Sequence, residues 1–139
     1  LGGKVEAVDL DTLRKEVDIL SLHCNLTPET HGLVNREFLA AFAKPIILIN
    51  TSRGQVVKTA DLLEALTEGR VIAAGLDVFE REAHGFDTIA SAGENASVWD
   101  RLMAHPRVQV SPHVAGWTEE SCVKLSSVLA DKVLAEFGA

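Results

Sequence analysis

Four consecutive aliphatic residues, Ile46-Ile47-Leu48-Ile49, stand between Pro45 and the polar run Asn50-Thr51-Ser52-Arg53-Gly54. The run is too short for a buried helix and lacks the alternation of a strand with one wet face. It reads as a central strand of a parallel sheet. Open parallel sheets bind their ligands in the crevice beyond the carboxyl ends of their strands. Asn50, Thr51, Ser52 and Arg53 therefore stand where such a sheet does its chemistry. Arg53 is the first candidate for a working residue, because a permanently charged planar donor fork suits an anionic group. For this stretch alone, a surface arginine in a strand-to-helix loop is an equally good reading.

The rest of the chain alternates strand-like and helix-like segments around that strand. Lys4 to Val8 is a short apolar-polar run, after which Asp9 or Asp11 caps a helix with Leu10, Leu13 and Val17 at helical spacing. Asp18 to Cys24 reads as a strand, Asn25 to Thr30 as turn chemistry, and Arg36 to Ala43 as a short helix stopped by Lys44-Pro45. Thr59 is placed to cap a helix carrying Leu62, Leu63 and Leu66, which Gly69 closes. Val71 to Phe79 reads as a buried strand and Val108 to Val110 as the last one. Between them, Glu80 to Arg107 is a long polar connection holding one short helix around Ser97 to Met103. A final helix from Thr118 carries Glu119 and Glu120 in its first turn and is expected to bury Cys122, Leu125, Leu129, Val133 and Phe137. This alternation predicts an α/β protein with a parallel sheet of about four to five strands and helices on its faces.

Composition narrows the function. With 139 residues, 47% of them hydrophobic, the chain has enough apolar material for one core. A formal charge of −7 argues against nucleic acid and against an anionic membrane surface. Cys24 and Cys122 lie far apart in dissimilar contexts, the usage of a reducing cytoplasm rather than of a disulfide scaffold or a zinc site. No metal site is expected.

Just past three successive strands come an arginine (Arg53), an acidic cluster (Asp77, Glu80, Glu82) and a histidine (His113). A histidine moves protons near neutral pH, and a carboxylate beside it holds its tautomer and stabilises the imidazolium. An arginine in the same crevice would clamp an anion while the proton moves. His23, His31, His84 and His105 lack such a pattern and read as surface or internally satisfied residues, and Glu80 reads as solvent-facing.

Three runs, Asn50-Thr51-Ser52-Arg53-Gly54, Gly75-Leu76-Asp77-Val78-Phe79-Glu80-Arg81-Glu82 and Ser111-Pro112-His113-Val114-Ala115-Gly116-Trp117-Thr118, together resemble the NAD-dependent D-2-hydroxyacid dehydrogenases, the family of D-3-phosphoglycerate dehydrogenase. Their order, their spacing and the helical segment Asp61 to Leu66 match, as does Asp18 to Thr30 with Gly32-Leu33-Val34-Asn35. The resemblance implies that Arg53 binds the substrate carboxylate, that His113 is the acid-base residue and that Glu82 pairs with it. It implies that Asp77 touches the nicotinamide carboxamide, and that Leu26, Thr27, Thr51, Ser52 and Gly116 approach the cofactor, NAD.

The chain nevertheless contains no G-x-G-x-x-G and no acidic residue ending a strand after one, the features that seat a dinucleotide's pyrophosphate and ribose. Residues 1–139 are therefore expected to form the C-terminal half of a dinucleotide-binding (Rossmann) domain, inactive alone, with the glycine-rich half and the substrate domain absent. The alternatives are a stand-alone folding unit of flavodoxin-like layout and a nicotinamide-sensing module without catalysis. The expected substrate is a small 2-hydroxy or 2-oxo acid. The strand Asp18 to Cys24 is expected to have an open edge, covered by Lys4 to Val8 or by pairing of two copies into a homodimer.

Overall fold

A computed structural model describes residues 5–80 and 96–138. Four parallel strands, β1 (Ile19–Leu22), β2 (Ile46–Asn50), β3 (Val71–Leu76) and β4 (Val108–Val110), lie side by side in chain order. The expected class is thus observed, with four strands. Their order crosses the sheet in one direction, without the reversal that a flavodoxin-like layout would show.

Helix α1 (Leu10–Glu16) leads into β1, and α2 (Arg36–Ala40), α3 (Thr59–Thr67) and α4 (Ala96–Met103) lie in the connections between successive strands. Leu20, Leu22, Ile46, Leu48, Ala74, Leu76 and Val108 project from the sheet into one contiguous core with Phe38 and Leu39 of α2, four residues of α3 and Leu102 of α4, and Leu13 of α1 packs against it. Each fully buried Leu or Ile there is worth about 1.5–3 kcal/mol. Ile19, Ile47, Ile49, Ala73 and Gly75 alternate with those residues in register and lie outside this core. The helical residues of this core thus pack on the face from which Leu20, Leu48 and Leu76 project. The aliphatic run of β2 supplies residues to both faces, and nothing in that run says which face has a helix over it.

Local chemistry explains most boundaries. Asp9 accepts from the Thr12 N–H at 2.8 Å and opens α1, and Asn35 accepts from Phe38 to open α2. The cap of α3 differs from expectation. Lys58 holds the N-cap position, and the Thr59 N–H donates to Glu80 Oε2 at 2.8 Å, a carboxylate twenty-one residues away. Glu80 is accordingly half-buried, where sequence suggested solvent.

Two expectations at the chain's ends are overturned. Residues 5–8 of the Lys4 to Val8 segment are exposed and form no strand, so they do not cover the edge of β1. The segment is too polar to contribute more than Val5 and Val8 to an interface. The last helix, α5 (Glu119–Phe137), begins where expected, with Thr118 accepting from the Ser121 N–H, but buries nothing. Cys122, Leu125, Leu129, Val133 and Phe137 are all exposed, Phe137 by 80%. Helical spacing of apolar residues states that a face exists for packing. It does not place a partner beside it.

Candidate functional site

Strand register fixes the site's frame. Leu22, Asn50, Leu76 and Val110 stand at one level across the sheet, each ending its strand. The ladder continues one step further, with Asp77 N donating to Asn50 O and Ser111 N to Leu76 O, both at 3.0 Å. Arg53 is three residues past that level on β2, Asp77 one past it on β3, and His113 three past it on β4. Two inter-strand spacings separate the β2 and β4 backbones, about 10 Å, a span that one small acid and two long side chains can bridge.

The arginine loop is shaped by Asn50, a buried residue (1% exposed) that sequence reasoning did not single out from its polar neighbours. Its Oδ1 accepts from the Ser52 N–H at 3.0 Å and the Ser52 hydroxyl at 2.9 Å, and its Nδ2 donates to the Arg53 carbonyl at 3.1 Å. All three bonds fold the chain back on itself directly after β2. Ser52 is thereby turned inward, while Thr51 and Arg53 are exposed. Arg53 Nη1 donates to the Ser52 carbonyl at 2.7 Å, and no acidic side chain among the described residues ion-pairs with it. Gly54 then packs so closely that a Cβ would lie 1.7 Å from the Phe79 carbonyl oxygen.

A second loop is tied to the first. Gly32 N donates to Gln55 O, Val34 N to Val56 O and Lys58 N to Val34 O, binding the chain after the Leu26-Thr27 turn to the chain after Arg53. The turn itself is closed by Thr30, whose Oγ1 accepts from Thr27 N and donates to Asn25 O. Leu26 and Thr27 are exposed at its rim.

The histidine loop hangs from Asp77. Its Oδ1 accepts from the Ser111 hydroxyl at 2.5 Å and the Val114 N–H at 2.9 Å, and its Oδ2 from the Ala115 N–H at 2.8 Å. Burial alone would raise the pKa of this carboxyl. The hydrogen bonds from Ser111, Ala115 and Val114, joined by the charge of His113, outweigh it and hold Asp77 below the usual aspartate value. Between these anchors His113 adopts φ 55°, the one non-glycine residue with positive φ among the described residues. Trp117 is 70% exposed, so it is no part of the core. Glu82 lies outside the described residues.

Residues 3–115 match the family described as "D-isomer specific 2-hydroxyacid dehydrogenase, NAD binding domain". The chain belongs to this family. A hydroxypyruvate reductase of Thermotoga maritima is 37% identical over 134 residues, which are 96% of this chain and 40% of that protein. A D-3-phosphoglycerate dehydrogenase of Bacillus subtilis is 35% identical over 94% of this chain and 22% of its own length. The NAD-complexed D-isomer specific 2-hydroxyacid dehydrogenase of Lactobacillus delbrueckii ssp. bulgaricus superposes with a TM-score of 0.76 at 32% identity, over 95% of this chain and 40% of that one. The chain thus spans two fifths or less of these relatives.

NAD is the cofactor of the D-2-hydroxyacid dehydrogenases, and the residues present fit one end of it. Gly116 has open space where a Cβ would be, and Thr51, Leu26 and Thr27 are exposed beyond the strand ends, which suits a flat ring laid against backbone. The glycine-rich turn that cradles a pyrophosphate is not in this sequence.

Proposed function

We propose that this chain is the C-terminal half of the NAD-binding domain of a D-2-hydroxyacid dehydrogenase, and that it carries the Arg53, Glu82 and His113 trio. The observation that supports the reading is the common sheet level: Arg53 follows β2 and His113 follows β4 at the same end of the parallel sheet, with Asp77 at the end of β3 between them. In this reading Arg53 holds the substrate carboxylate through its guanidinium fork. His113 accepts the proton of the C2 hydroxyl during oxidation and returns it to the C2 oxygen during reduction. Glu82 keeps the imidazole basic and oriented. NAD, when bound, supplies the acceptor or donor of the hydride at C2. Leu26, Thr27, Thr51 and Gly116 border the nicotinamide end, and Ser52 and Asp77 serve it through the loops that their side chains brace. The substrate is a small 2-hydroxy or 2-oxo acid, and the two free cysteines favour the cytoplasm.

Titration of the 139-residue chain with NAD and a 2-oxo acid, followed by backbone amide shifts, tests the assignment. The expected outcome is weak binding with shifts around Thr51, Arg53 and Gly116, loss of the acid-dependent shifts in Arg53→Ala, and no turnover. Shifts elsewhere on the sheet, or acid binding that survives Arg53→Ala, would overturn the site. Turnover at an ordinary enzymatic rate would overturn the half-domain reading.

The open edge of β1 supports pairing of two copies, since its unpaired backbone groups are a template for another strand. Sedimentation should show a dimer with slow amide exchange along residues 19–22, and a monomer with fast exchange there would remove the pairing.

A further inference from the structure

The geometry points to Asp77 as the positioning residue that holds the His113 loop in its left-handed turn. This rests on the reading of His113 as the acid-base group and adds how the imidazole is aimed. Three donors from the chain on either side of His113, the Ser111 hydroxyl and the Val114 and Ala115 N–H groups, converge on one carboxylate that is 3% exposed. Ser111 precedes the histidine by two residues, and Val114 and Ala115 follow it directly. With both flanks tied to one rigid group, the peptide between them must bulge, and His113 takes φ 55°.

That conformation is unfavourable for a residue with a Cβ, so something must impose it. The His113 N–H donates to the Ser111 carbonyl at 3.0 Å, a three-residue turn too small to impose it alone. Asp77 is itself tied to the sheet. Its N–H donates to Asn50 O, which extends the sheet ladder and joins the aspartate to the residue that shapes the Arg53 loop. One short run of backbone therefore sets both the arginine loop and the histidine loop. A carboxylate suits the task, because it alone offers acceptors on both oxygens, whereas an amide would turn a donor toward an N–H.

The test is native-state amide exchange on the full 139-residue chain, with backbone carbon shifts and the intraresidue HN–Hα contact at His113 reporting positive φ. In the unaltered chain the Val114 and Ala115 amides are protected. Asp77→Asn raises their exchange roughly ten- to hundredfold, the value of bonds to a charged acceptor, and abolishes the positive-φ signature. Amides of β2 stay unchanged, which a general loss of stability would not allow. Should Asp77→Asn unfold the chain, Ser111→Ala decides: it loosens the same two amides, and Ser111→Thr restores them. Fast exchange of both amides in the unaltered chain, or an unchanged residue 113 in Asp77→Asn and Ser111→Ala, would overturn the clamp. None of these readouts needs turnover, so loss of acid binding at Arg53 would strike the enzymatic reading and leave the clamp standing.

Discussion

At Gly54 and Gly116 the same residue type serves opposite purposes. A methyl group at residue 54 would collide with the Phe79 carbonyl, backbone against backbone, with no flexible end to yield. Gly54→Ala should cost about 3 kcal/mol, the upper range for overpacking, seen as a lower urea midpoint. Gly116→Ala meets nothing within 4 Å and lies at no positive φ, so its midpoint should stay within about 0.5 kcal/mol of the parent. Among the carboxyls with lowered pKa, Asp77 is the buried one. Its folded pKa is depressed, so its stabilisation is complete above the unfolded value near 3.9 and is lost as pH falls through the lower folded value. Acid titration should therefore free the Val114 and Ala115 amides below about pH 4, and it should leave them protected from pH 5 upward. The position of Arg53, Asp77 and His113 just past strand ends is legible in the sequence, because a polar residue after an aliphatic strand is conspicuous. The bracing roles of Asn50 and Ser111 are not legible, because an amide or hydroxyl beside a strand is ordinary until its partners are known.

Among elements, helices whose caps are local were read well and those with distant caps were not. Asp9 and Thr118 cap within three residues, whereas the start of α3 is completed by Glu80 from the far end of β3. Glu80→Ala should cost about 1 kcal/mol, the usual value of a lost cap, and should raise exchange of the Thr59 amide first. Glu80→Gln keeps an acceptor and should lose less. The same carboxylate stands 3.8 Å from Lys58 Nζ, but that half-exposed pair adds little beyond the cap. For α5 the expectation failed at the level of packing rather than of secondary structure. Leu129→Glu on that helix should shift stability by less than about 0.5 kcal/mol, whereas Leu48→Ala in β2 should cost about 2–5 kcal/mol. A comparable loss at both positions, read from denaturant midpoints, would mean that α5 packs on the core after all.

Across the whole molecule, the period of the hydrophobic pattern carries the class, and the register sets the level from which the candidate site is built. Lateral placement is beyond reach of such a pattern: a run such as Ile46 to Ile49 reveals a strand fit for burial, and only the fold reveals that Ile46 and Leu48 join the main core while Ile47 and Ile49 lie outside it. Among the described residues no helix is long and apolar enough to cross a membrane, although α5 displays seven large exposed hydrophobic residues from Val123 to Phe137. Ile19 and Ile72, each about half exposed, add to the apolar surface left in water. So much uncovered apolar surface favours adsorption at an interface with air. The chain should gather at an air–water boundary and raise the film pressure at concentrations where evenly covered proteins of its size stay in the bulk.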